Sequence, residues 1–224
     1  MDKQSLVDYA NTRHPSNQFA DYDEYVKYQT KNGLSFERNS SKWSSGQQRC
    51  IEAKFANVNR NARIIDICCG DGSGLLKFKE MGFKDVTGVE ISDEKIAFSE
   101  KVGYPILKRD ICSGPFDLGE PYDIIYSSHT LEHVLNPGYT LLTLASFLKK
   151  DGILFLVLPY PDIGAANPDE NHRFRVHCGV IPLALHIPDK GATVVERMKA
   201  LGFTVLNVQF HEYREPEIHL TLTL

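Results

Sequence analysis

Three carboxylates, a run of alternating glycines and a pair of histidines are the residues of this chain best suited to chemistry. The stretch Ile64-Ile65-Asp66-Ile67-Cys68-Cys69-Gly70-Asp71-Gly72-Ser73-Gly74 joins an apolar strand to a helix start through an acid and glycines at every second position. Glycine lacks a Cβ, so such a turn takes positive φ and lets a ligand lie against bare backbone, while the helix N-terminus beyond offers unpaired N–H donors. The next acid at a strand end is Glu90, twenty positions past Gly70, where a nucleotide-binding unit places the carboxylate that takes a ribose hydroxyl pair. Asp110-Ile111 closes the third strand and Ser127-Ser128-His129 the fourth. Ligands of open α/β sheets sit beyond the carboxyl ends of the strands, so these groups are expected along one rim, with Ile91 beside Glu90. No G-x-x-x-x-G-K-S/T run exists, which excludes a P-loop.

His129-Thr130-Leu131-Glu132-His133-Val134 follows the fourth strand and supports two readings. Taken alone, H-x-x-E-H is a zinc motif with glutamate as general base. Its position after a buried parallel strand, with the Asn136-Pro137 helix restart close behind, leaves little helix to hold a metal, so no metal site is expected. Imidazole titrates near neutrality, which makes His129 or His133 the candidate general base or acceptor-orienting group.

The elements that must position these groups alternate from residue 62 onward as strand and helix, the mark of a parallel sheet covered on both faces. Leu75, Phe78 and Met81 recur at helical spacing and stop at Gly82; Ser92 begins a further helix with Asp93 and Glu94 in its first turn. After Asn136-Pro137, Leu141, Leu144 and Leu148 line one helical face that ends at Lys149-Lys150, and Ile153 to Leu158 makes the fifth strand. A helix over Ala192 to Leu201 precedes strands over Phe203 to Phe210 and Glu217 to Leu224. Their connection is too short for a parallel crossover, so the last strand runs antiparallel. Upstream, Tyr22, Tyr25 and Tyr28 recur at steps of three and suit a short helix, and a helix over Gln47 to Val58 follows Trp43.

Length and composition set the outer bounds. With 224 residues and 42% apolar content the chain suffices for one α/β domain with added substrate-binding structure. The expected division is a helical cap over 1–60 and a catalytic domain over 61–224, with 160–188 as a substrate-side loop. That loop carries Tyr160, His172 and Arg173 as acceptor-binding candidates. A formal charge of -4 argues against a broad nucleic-acid face. Five cysteines without a C-x-x-C pair read as reduced thiols of a cytoplasmic protein, and no signal peptide or membrane span is expected. Oligomeric state leaves no mark in the sequence.

The motif D-x-C-C-G-D-G-S-G and the segment S-H-T-L-E-H-V resemble a class I S-adenosylmethionine-dependent methyltransferase of the small-molecule, ubiquinone-biosynthesis-like type. The resemblance implies a Rossmann-like, doubly wound seven-stranded sheet, mostly parallel with an antiparallel C-terminal strand. It implies that the turn of Cys68, Gly70 and Gly72, with Asp66 before it, takes the methionine part of S-adenosylmethionine. Glu90 and Ile91 would then meet the ribose, Asp110 and Ile111 the adenine, and Ser127 and Ser128 would lie beneath the sulfonium. The function implied is methyl transfer to a hydroxyl or amine of a small molecule. One departure is that Cys68 stands where the family has its first glycine. Two readings from other classes remain open at this point: a noncatalytic S-adenosylmethionine-binding module and an NAD-dependent oxidoreductase.

Overall fold

The computed structural model describes residues 1–13, 19–31, 40–160, 190–213 and 216–224. Three helices come first: α1 (Lys3–Arg13), α2 (Tyr22–Lys31) and α3 (Ser40–Phe55). Strand and helix then alternate through β1 (Arg63–Ile67), α4 (Ser73–Glu80), β2 (Asp85–Glu90), α5 (Asp93–Ser99), β3 (Ile106–Lys108), β4 (Tyr122–Ser128), α6 (Pro137–Ala145) and β5 (Leu148–Pro159). α7 (Ala192–Ala200), β6 (Thr204–Glu212) and β7 (Pro216–Thr223) complete the fold. The seven strands form one sheet in the order β3-β2-β1-β4-β5-β7-β6. β1 to β5 run parallel to one another, and β7 runs antiparallel to both β5 and β6. This is the doubly wound sheet with a reversed last strand that the sequence led us to expect.

Because successive strand residues face opposite sides, each apolar strand feeds two cores. Ile65, Ile67, Ile125, Leu154 and Leu156 pack with α1, α2, α6 and α7 on one face. Ile64, Tyr126, Phe155 and Val157 pack with α3 and α4 on the other, where Phe55 meets Phe78 edge to face at 4.9 Å. Burying both faces leaves the strand ends as the only part of the central sheet able to meet a ligand.

Two element boundaries differ from those the periodicity suggests. α3 starts at Ser40, so Trp43 and the Ser-Ser-Gly run lie inside the helix. Packing against α4 outweighs the poor helix propensity there: the Ser73 hydroxyl donates to Ser44 Oγ at 2.8 Å, and Gly46 is buried. α6 stops at Ala145, and Leu148, Lys149 and Lys150 belong to β5. Leu148 continues the leucine spacing of α6, but it pairs with Tyr122 of β4, and Asp151 at φ 65° turns the chain back into the sheet.

Candidate functional site

The turn after β1 is held by contacts within the motif. Asp66, on the α3/α4 side of β1, is 1% exposed, and among the described residues neither carboxylate oxygen has a hydrogen-bond partner. Burial, then the charges of Glu90 and Asp71, push its pKa well above the ordinary aspartate value. A Cβ on Gly74 would lie 2.8 Å from both Asp66 Oδ2 and Gln47 Nε2, so only glycine lets α4 begin this close to the acid. Gly70 takes φ 59°, and a Cβ there would meet nothing within 4 Å, which leaves an open backbone face above the turn. Cys68 adopts φ 56°, in the left-handed region that favours glycine. Burial, then the charge of Glu90, push its thiol pKa well up, which keeps the sulfur protonated and unreactive.

Glu90 folds its side chain back over its own turn and toward the glycines. Oε2 accepts from the Gly70 N–H at 3.1 Å, while Oε1 accepts from Ile91 N–H at 2.8 Å and Ser92 N–H at 3.0 Å. Each carboxylate oxygen accepts more than one bond, so a ligand hydroxyl can still be received alongside these. Asp110 is tied in two directions: Oδ1 accepts from Cys112 N–H at 2.9 Å, and Oδ2 accepts from the Tyr22 hydroxyl of α2 at 2.6 Å. Ile111 is buried beneath it, in the core that holds α1 and α2.

At the end of β4, Ser127 is buried and Ser128 half-buried, and His129 turns at φ 51° with its N–H donating to Val157 O at 2.9 Å. A single 3-10 turn, Leu131–His133, carries the rest of the segment. His129 Nδ1 lies 3.2 Å from Glu132 Oε1, at ion-pair distance though off the hydrogen-bond line, and its Nε2 lies 3.0 Å from Glu217 Oε1. Glu132 is fully buried. Burial opposes its charge, but the close approach of His129, then attraction from His133, outweigh this and set its pKa below the ordinary glutamate value. The His133 side chain is 30% exposed, with Nε2 4.0 Å from Glu132 Oε1. Its carbonyl receives the Tyr25 hydroxyl at 3.3 Å and the Gln29 amide at 2.9 Å, so α2 braces this loop as well as Asp110.

Tyr160 follows β5, is buried, and its hydroxyl accepts from Gly191 N–H at 3.0 Å. His172 and Arg173 lie outside the described residues. Tyr22, Gln29, Glu217 and His219 are working neighbours that sequence reasoning did not single out. Tyr22 was legible only as helical spacing, and Glu217 and His219 only as polar residues of the last strand.

A family described as a methyltransferase domain matches residues 37–208, and the chain belongs to it. It is similar to ubiquinone biosynthesis O-methyltransferases, at 32% identity over 106 residues with that of Nitrobacter winogradskyi and 27% over 99 residues with that of Rhizobium etli. The matches cover 46% and 42% of this chain, and the chain spans only 40% of the length of each relative. Among solved structures, a possible histamine N-methyltransferase from Thermotoga maritima superposes with a TM-score of 0.64 at 15% identity, over 89% of this chain and 99% of that one. A glycopeptide N-methyltransferase complexed with sinefungin superposes with a TM-score of 0.61 at 14% identity, over 81% of this chain and 94% of that one. The matched family and the fold are those of class I S-adenosylmethionine-dependent methyltransferases. The residues present fit that cofactor, since a buried carboxylate without a partner suits its ammonium group and the bare face of Gly70 leaves room for it.

Proposed function

We propose that this methyltransferase methylates a hydroxyl or amine of a small molecule, with His133 taking the proton that the acceptor gives up. The observation that carries the reading is the pairing of a part-exposed imidazole, His133, with a wholly buried carboxylate, Glu132, at the end of β4. A carboxylate behind an imidazole stabilises its protonated form, which a general base needs at the moment of transfer. The curated relatives are O-methyltransferases, one structural neighbour is a glycopeptide N-methyltransferase and another a possible histamine N-methyltransferase, which favours oxygen and nitrogen acceptors.

Bound S-adenosylmethionine supplies an electrophilic methyl group on a sulfonium. Asp66 receives its ammonium group, the turn of Cys68, Gly70 and Gly72 bears its methionine chain, and Glu90 with Ile91 holds the ribose. Asp110 and Ile111 border the adenine, and Ser127 and Ser128 form the floor under the sulfur. His129 orients the loop, and Tyr160 borders the acceptor. In-line displacement needs alignment and exclusion of water more than it needs strong acid–base groups, so α2, which braces Asp110 and the His133 loop, serves to cover the site. Four described cysteines are free thiols, which suits a reducing, cytoplasmic setting. Among the described residues no helix is long and apolar enough to cross a membrane.

The test is release of S-adenosylhomocysteine with a panel of phenols, catechols and primary amines. His133→Gln should lower turnover of a hydroxyl acceptor about 100-fold while leaving S-adenosylhomocysteine affinity within about twofold. Cofactor binding with no turnover across the panel would count against the proposal, and equal turnover in the variant would remove His133 from it.

A further inference from the structure

β7 opens with a carboxylate sealed from solvent, and that carboxylate reaches across the sheet into the site. Glu217 pairs in register with Pro159 of β5, and Val157 of β5 pairs with both Ser128 of β4 and His219 of β7. Insertion of β7 beside β5 therefore carries Glu217 to the same edge as His129, 88 positions earlier in the chain. Glu217 Oε1 lies 3.0 Å from His129 Nε2, and Oε2 lies 2.9 Å from His219 Nε2. The Glu217 side chain is 0% exposed and that of His129 is 8% exposed. With Glu132 at 3.2 Å from Nδ1, both edges of the His129 ring face buried carboxylates.

A neutral imidazole has one N–H and one bare lone pair. Turned toward a carboxylate in a dry site, that lone pair meets negative charge, and the repulsion is not screened. The arrangement is favourable along its length when both His129 nitrogens carry protons. His219 supplies the neutral end: burial lowers its pKa despite the hydrogen bond and charge of Glu217, and its Nδ1 lies 3.9 Å from Cys50 Sγ of α3. Among the described residues, further titratable groups at this edge are Lys54 of α3, 3.1 Å from His211 Nε2, and His211 and Tyr213, whose rings lie 4.7 Å and 5.7 Å from that of His219.

We propose that Glu217 is a positioning residue that holds His129 as a standing imidazolium, so that His129 neutralises the buried Glu132 and proton exchange with the acceptor falls to His133. The inference rests on the reading of His133 given above and deepens it, because it removes His129 from the choice of base. A ring already protonated at both nitrogens takes no proton from an acceptor.

The test is a pH titration of the full-length, ligand-free protein labelled with nitrogen-15 at histidine, with the ring nitrogens followed by NMR from about pH 5 to about pH 9. The His129 signals are assigned by their loss in His129→Asn. In the wild type both His129 nitrogens should keep the protonated signature through neutral pH. Glu217→Gln should convert His129 to a single neutral tautomer by about pH 7, and Glu132→Gln should push it the same way from the other side. A wild-type His129 that is already a neutral tautomer at neutral pH overturns the proposal without any variant, as does a Glu217→Gln protein whose His129 titrates like the wild type. The measurement uses neither acceptor nor methyl transfer, so its failure leaves the methyl-transfer reading standing.

Discussion

At the ends of β1 and β2 the working groups bond to atoms close by in sequence, whereas at the end of β4 they bond to the far end of the chain. Glu90 holds Ile91 and Ser92 in its own turn and reaches back only as far as Gly70. His129 instead faces Glu217, and the His133 loop is braced by Tyr25 and Gln29 of α2. The proposed cofactor rim at these two strand ends is thus set up by a strand–turn–helix motif that any similar sheet could carry. The proposed acceptor side depends on how β7 and the N-terminal helices are placed. A fold that keeps its donor while changing its acceptor benefits from that division, since acceptor-side elements can vary without disturbing the rim.

Glu90→Ala should break the comparison most severely, because three backbone N–H groups lose one carboxylate. Hydrogen bonds to a charged group contribute about 1.5–3 kcal/mol each and are not additive, so a loss of about 3 kcal/mol in urea unfolding is expected, with S-adenosylhomocysteine binding weakened at least about tenfold. Calorimetric titration and urea melts read both effects. Loss of affinity with unchanged stability would show that Glu90 serves the ligand alone and that the rim does not hold itself together.

Asp66→Asn should act in opposite directions on stability and binding. The folded-state pKa of Asp66 is raised, so its contribution to stability is fully present below about pH 4 and is lost as pH rises through the folded value. Ligand-free wild-type protein should therefore lose stability between acidic and neutral pH from this group. The asparagine variant should lack that loss and be about 1–2 kcal/mol more stable at neutral pH, while its cofactor affinity falls. Parallel urea melts at acidic and neutral pH check the sign. A variant less stable than wild type at neutral pH would mean that the buried acid is satisfied without a ligand.

The same contrast explains what could be read from residues alone. Strand and helix periodicity, the glycine turn and the short final hairpin are local patterns, and the sheet and its reversed strand follow from them. That Asp66, Glu90 and Asp110 stand at or just beyond strand ends was legible from the apolar runs before them. Glu217 carried no such mark: it is one polar residue in an alternating strand, and its meeting with His129 depends on β7 inserting beside β5. The α6 boundary was missed for a related reason, since Leu148 fits the helical repeat and only its pairing with Tyr122 assigns it to a strand. Tyr22 showed its spacing but not its partner, because Asp110 lies 88 positions away.

Tyr22→Phe sharpens the comparison from the cap side. It removes the 2.6 Å hydrogen bond to Asp110 but keeps the ring, which packs against Tyr25 at 5.5 Å. The expected loss is about 1 kcal/mol, seen as faster hydrogen exchange over α2. The amides of β1 and α4 should be unaffected. Equal acceleration in both regions would mean that cap and rim open as one unit.

Cys68→Gly is the finest probe, because opposing terms nearly cancel. A side chain at φ 56° costs about 1–2 kcal/mol relative to glycine, so the substitution relieves strain at the centre of the turn. Glycine also gives the unfolded chain more freedom, which returns about 0.5–1 kcal/mol, and the sulfur gives up its packing against the core that α1 and α2 cover. The net change in stability should stay within about 1 kcal/mol, and S-adenosylhomocysteine affinity should hold or improve, since the turn keeps its shape and loses an obstacle. A clear drop in affinity with stability unchanged would make the thiol a contact that this chain uses, and Cys68 would then join Glu217 as a group whose role comes from its surroundings and not from the motif that contains it.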